Sequence, residues 1–169
     1  MFLVFLLVLM VMIKSSQGIH QIPFASAELS STYETYGGNL AIDGNLTTLA
    51  HSICEFEGQE IWLKVWLKWP SLIDHFVIYA SHTGHSDYTY YRIQGAKIYT
   101  KDGENGEEIL CGTLTLDSVA VSHTIECSGV NKVRVVVIRL QKSVGVEACI
   151  HLLEIVAFGD YIIGKISEL

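Results

Sequence analysis

The sequence predicts an all-β domain built as a sandwich, and three observations carry the prediction. Apolar residues recur at period two or in short unbroken runs, polar glycine-bearing segments separate those runs, and no segment sustains the three-to-four-residue period of an amphipathic helix. Short strands at such spacing pack as layers around one core. The first is "IWLKVWLKW" (61–69), which places Ile61, Leu63, Val65, Leu67 and Trp69 on one face and Trp62, Lys64, Trp66 and Lys68 on the other. Pro70, which lacks the N–H a ladder needs, is expected to end it. "LIDHFVIYA" (72–80) and "RIQGAKIYT" (92–100) follow, and the polar segment "KDGENGEE" (101–108) supplies a turn. "VRVVVIRL" (133–140) and "IHLLEIVAF" (150–158) complete the strands. Trp66 and Trp69 read as core or sheet-face residues; as exposed spikes they would instead suit adhesion to lipid or protein.

Twelve apolar residues, Phe2 to Ile13, precede Lys14 and a small polar run ending at Gly18. That length is too short to span a bilayer and matches the core of a signal peptide, so residues 1–18 are read as removed and the protein as secreted and extracellular. No later segment is apolar for long enough to predict a membrane span. The remaining 151 residues suit one domain, taken as 19–160 with a C-terminal tail at 161–169. Only Lys14 is charged in the removed segment, so 10 basic residues face 18 acidic ones and the net charge is −8. That sign argues against nucleic acid as a partner and leaves room for a cation. Cys54, Cys111, Cys127 and Cys149 are even in number and widely separated, which in a secreted chain reads as two disulfides; no CxxC pair suggests zinc.

Two clusters carry chemistry. Asp43 and Asn45 stand in a glycine turn and offer hard oxygens of the kind calcium takes, although Asp-Gly-Asn also makes a good turn unaided. Asn45-Leu46-Thr47 is in addition a glycosylation sequon. In "HSDYTYYR" (85–92), Asp87 and Arg92 read alone as a surface ion pair at a strand entrance. His82, His85 and Asp87 form a His-x-x-His-x-Asp pattern compatible with a transition metal, yet nothing nearby nominates a general base. Nucleophile elbow, phosphate loop and H-E-x-x-H are all absent, so no motif argues for an enzyme.

The order "SSTYETYGGNLAIDGN" (30–45), "IWLKVWL", "RIQGAKIY", "LCGT" with a cysteine sixteen positions on, and "LLEIVAFG" (152–159) resembles the F-type lectins, or fucolectins, over roughly residues 24–160. The resemblance implies a discoidin-type (galactose-binding-like) jelly-roll β-sandwich, a structural calcium and a shallow fucose site on the loops at one end. It implies metal ligation by Leu40, Asp43, Asn45, Ser52, Leu153 and Glu154. The family's sugar motif, Arg-x-Asp followed after four residues by a second basic residue, maps onto His85, Asp87 and Arg92, with histidine in the first basic position. Arg92 would present forked donors to sugar hydroxyls and Asp87 would accept from them. Tyr88 stands where the family has a cystine and would offer an apolar platform. The family's upstream histidine position holds Phe56, leaving His51 across the cysteine as the substitute.

Of three cysteine connectivities, the resemblance favours Cys111 with Cys127 and Cys54 with Cys149, a short hairpin-like loop and a tie from the first half to the last strand. The expected partners are glycans on cell-surface or microbial glycoconjugates, in a chain compatible with homo-oligomers. The competing class is a discoidin-like adhesion or scaffold domain that has lost sugar binding and takes protein or lipid; a metal-dependent hydrolase stands far behind.

Overall fold

The computed structural model describes residues 18–54, 60–80, 90–115, 122–127, 132–140 and 148–162. Nine strands run in chain order: β1 (His20–Ile22), β2 (Phe24–Leu29), β3 (Ala50–His51), β4 (Ile61–Ala80), β5 (Lys97–Lys101), β6 (Ile109–Thr113), β7 (Ser122–Glu126), β8 (Val133–Leu140) and β9 (His151–Tyr161). Two 3₁₀ turns, Gly38–Ala41 and Tyr90–Ile93, are the helical elements among the described residues. None is long and apolar enough to cross a membrane.

β4 organises the fold. Its first half pairs with β2 on one side and β8 on the other, and β8 carries β5 and then β6. The second half of β4 pairs with β9 and β7, and β9 carries β1 and β3. All these ladders are antiparallel. The strand thus passes from one layer of the sandwich to the other, a corner of the kind made where a strand bends between sheets. Alternation places Ile61, Leu63, Val65 and Leu67 inside, as their spacing predicts. They join Phe76, Ile78, Val136, Ile138, Leu152, Ile155 and Ala157 in one apolar core.

Two strand expectations need correction. Pro70 does not end the strand, because the β4–β8 register breaks between Trp66 and Ser71 and the β2 ladder stops at Leu67. Its missing N–H therefore falls in a gap where no ladder bond is lost, while its carbonyl accepts from the Ile162 N–H. Trp69 sits on this corner and is 56% exposed rather than in the core. Residues 92–96 form the end of a 3₁₀ turn and a connection, so that strand begins at Lys97.

Both disulfides join the pairs expected. Cys111–Cys127 ties β6, at the edge of one layer, to the residue after β7, at the edge of the other. Cys54–Cys149 ties the segment after β3 to the entry of β9.

Candidate carbohydrate-binding site

At one end of the sandwich the entry of β9, β3, the second 3₁₀ turn and the loop before the first converge. His51 ends β3, and His151 opposes it in register at the start of β9. Their rings meet edge to face at 4.8 Å, and both side chains are buried. The chain at 33–36 folds over His51: Tyr33 N–H donates to the His51 carbonyl (2.9 Å), and His51 N–H donates to the Tyr36 carbonyl (2.9 Å). The reversal places Glu34 at φ 50°, a left-handed conformation uncommon for a residue with a side chain. It leaves the Tyr33 ring 5.0 Å from His51, with Tyr36 stacked beside it at 6.3 Å. Tyr33 is 45% exposed, so this pair presents an aromatic surface above a histidine floor.

The Cys54–Cys149 sulfurs complete the floor, each 3.8 Å from His51 Nε2. Bonded to one another, they hold the ring in place rather than share a metal with it.

Arg92 rides on the second 3₁₀ turn, which Ile93 and Ala96 anchor by full burial. That turn packs against β9, and the Arg92 charge is felt at His151. Desolvation first, then His51 and the Arg92 charge, push the His151 pKa down from 6.5 to about 4. His151 is therefore neutral at physiological pH. The arrangement can supply fixed donors from Arg92 and a ring face from Tyr33, the two components a neutral sugar needs. Of the residues singled out from sequence, His51 lies in this cluster and Arg92 on the turn beside β9; His85, Asp87, Tyr88 and His82 lie outside the described residues.

A second group lies on the flank. Gly44, at φ +75°, turns the chain so that its N–H donates to Glu154 Oε2 (2.9 Å), bringing the 43–45 loop against β9. Asp43 accepts from the Asn45 N–H (2.9 Å) and from Thr48 Oγ1 (2.9 and 2.8 Å to its two oxygens). The Glu154 carboxyl is buried, and desolvation first, with the Asp43 charge adding to it, raises its pKa from 4.5 to about 7 against the opposing pull of backbone donors. A cleft of about 460 Å³ opens beside this pair, with Leu46, Phe24 and Tyr79 among its walls. The Glu154 carboxyl whose charge Asp43 disfavours, with the Thr48 hydroxyl and the Asn45 carbonyl beside Asp43, is a donor set that fits a hard cation.

The remaining ligands implied by resemblance are placed less uniformly. Leu40 lies in the first 3₁₀ turn and Leu153 precedes Glu154 on β9. Ser52 is committed elsewhere: its hydroxyl accepts from the Ile150 N–H (2.9 Å) and donates to the Ile53 carbonyl (3.3 Å). Thr48 is the hydroxyl that touches Asp43, and no motif singled it out. The Asn45 side chain accepts from the Thr47 N–H (3.0 Å) and hydroxyl (2.7 Å), which leaves its amide nitrogen clear of these bonds.

No protein-family model matches the chain, and no curated protein does. Solved structures match closely in shape. A family 32 CBM from C. perfringens NanJ, in complex with galactose, aligns at TM-score 0.64 and 20% identity over 83% of this chain and 99% of that one. A fucose binding module of Streptococcus pneumoniae aligns at 0.66 and 19% over 87% of this chain and all of the other. An F-lectin (fucolectin) from Morone saxatilis (striped bass) serum aligns at 0.63 and 24% over 80% of this chain and 45% of that longer one. The fold is the discoidin-like β-sandwich. Identities this low establish the architecture and leave the ligand to be argued from the residues. In this discoidin-like sandwich, sequence reading missed His151, Tyr33 and Tyr36. A histidine inside "CIHLLEIV" looks like a core residue, and only the pairing of β3 with β9 reveals what it faces.

Proposed function

We propose that the chain is a secreted lectin domain that binds fucose or a related terminal sugar on cell-surface or microbial glycoconjugates and carries a structural calcium. The packing of His151 and His51 beneath the exposed Tyr33, with the Arg92 charge acting on His151 from the neighbouring 3₁₀ turn, supports this reading most directly. A guanidinium donates to adjacent sugar hydroxyls in a fixed fork, and a tyrosine face covers the C–H surface or the methyl group of a deoxysugar. His51 and His151 act from below, supporting Tyr33 rather than competing for the ligand. Calcium would sit with Asp43 and Glu154, with Thr48 and main-chain carbonyls as further oxygen donors, and would neutralise the buried carboxylate. Asn45 remains open to glycosylation from its solvent side.

One observation favours the adhesion reading instead. Trp69, Leu72 and Tyr161 are exposed at the β4 corner, where an apolar hollow of about 350 Å³ is lined by Trp69, Pro70, Tyr161 and Ile162. A glycan array read with and without EDTA, on the parent and on Arg92→Ala, separates the two. The lectin reading expects fucosylated or galactose-type glycans to be retained by the parent and lost by the variant, with the melting temperature of the two alike. Equal glycan retention by Arg92→Ala, or no retention by the parent, gives first place to adhesion through the Trp69 patch.

A further inference from the structure

On the opposite stretch of the same layer, Asp74 and His75 of β4 meet Glu126 of β7. His75 and Glu126 are register partners, and one ligand atom from each of the three residues lies within 4.8 Å of the others. Alternation along a strand would send Asp74 and His75 to opposite faces. The β4–β9 register shifts between Ile73 and His75, however, so that an extra residue is inserted at Asp74. A bulge of this kind re-aims a side chain, and here consecutive side chains converge: His75 Nδ1 lies 2.8 Å from Asp74 Oδ2.

The frame around them is stiff. Phe158 stacks on the His75 ring at 4.7 Å with 15° between planes, and the Asp74 carbonyl accepts the Cys127 N–H (2.8 Å) next to the Cys111–Cys127 bridge. The mouth is open, with the Asp74 and Glu126 side chains exposed and able to close around an ion by rotamer adjustment alone.

We propose that Asp74, His75 and Glu126 form a surface site for a divalent transition metal, separate from the calcium loop. One imidazole with two carboxylates is a nitrogen-and-oxygen donor set that suits zinc and its neighbours, whereas calcium takes oxygen alone. Three ligands on two paired strands leave coordination positions open to water or an outside donor.

The test is isothermal titration of the intact, oxidised protein with Zn²⁺ in buffer holding excess Ca²⁺, which keeps the loop at Asp43 and Glu154 saturated. Co²⁺ absorption serves as a second readout of ligation. One metal per chain is expected, with His75→Gln and Glu126→Gln each weakening it by about tenfold or more. Both variants alter half-buried or exposed side chains, and their melting temperatures without zinc verify that they fold. Parent-like zinc affinity in both variants, or a parent that takes up no zinc, overturns the proposal.

Discussion

At the scale of single residues, two buried ionisable groups pull stability in opposite directions with pH. His151 takes a proton at about pH 4 in the folded chain and at 6.5 in the unfolded one, so stability falls as pH drops from 6.5 to 4. Glu154 keeps its proton up to about pH 7 when folded and to 4.5 when unfolded, so stability falls as pH rises from 4.5 to 7. Each shift corresponds to about 3 kcal/mol, and between pH 4.5 and 6.5 the two slopes nearly cancel in metal-free protein. A cation beside Glu154 pulls its pKa down and removes the second slope. Melting curves between pH 4.5 and 7.5 should therefore rise more steeply with pH in calcium than in EDTA. Glu154→Gln in EDTA should show the same added slope without metal, and a profile in that variant identical to the parent's would refute the assignment. Calcium should also raise the melting temperature at neutral pH by mass action, an effect that Asp43→Ala abolishes.

At the scale of elements, the strands legible in the sequence were those with enough apolar residues to show a period: both halves of β4, β8, β9 and, from Lys97 onward, β5. β2 ("FASAEL") buries only Ala27 and Leu29 and is held by its ladder to β4, so composition alone could not announce it. β6 and β7 are edge strands of five residues whose pairing is set by distant partners. The site divides in the same way. Turn composition and the resemblance point to Asp43, Glu154 and Arg92, whereas His151 and Tyr33 are placed by a two-residue ladder and a tight reversal that no period encodes. Gly159 offers the sharpest element-level test. A Cβ there would collide with the Leu72 carbonyl oxygen, so the β4–β9 ladder requires glycine. Gly159→Ala should cost roughly 3 kcal/mol in chemical denaturation, the upper end for overpacking, and a cost near zero would show that the ladder yields there.

At the scale of the whole molecule, the two disulfides should differ in what their removal does. The chain-entropy relation assigns about 3 kcal/mol to the Cys111–Cys127 loop and about 4 to 5 kcal/mol to the longer Cys54–Cys149 loop. Replacing Cys111 and Cys127 by serine should lower the melting temperature and leave glycan retention intact. Replacing Cys54 and Cys149 should lower it further and also weaken retention, because those sulfurs hold His51 under the tyrosines. Equal retention by the two double variants would detach the bridge from the binding site. The passage of β4 through both layers has a different kind of consequence, one of cooperativity. A strand hydrogen-bonded to β2 and β8 at one end and to β9 and β7 at the other gives neither layer a way to open independently. Such long-range pairing also makes for slow folding, in the millisecond-to-second range of all-β domains. Amide protons at Val65 and at Ile78, in opposite halves of the strand, should then exchange with solvent through the same global opening, with one free energy and one dependence on denaturant. If they exchange with separate free energies, the corner at Trp69 and Pro70 is a hinge between two independently stable sheets.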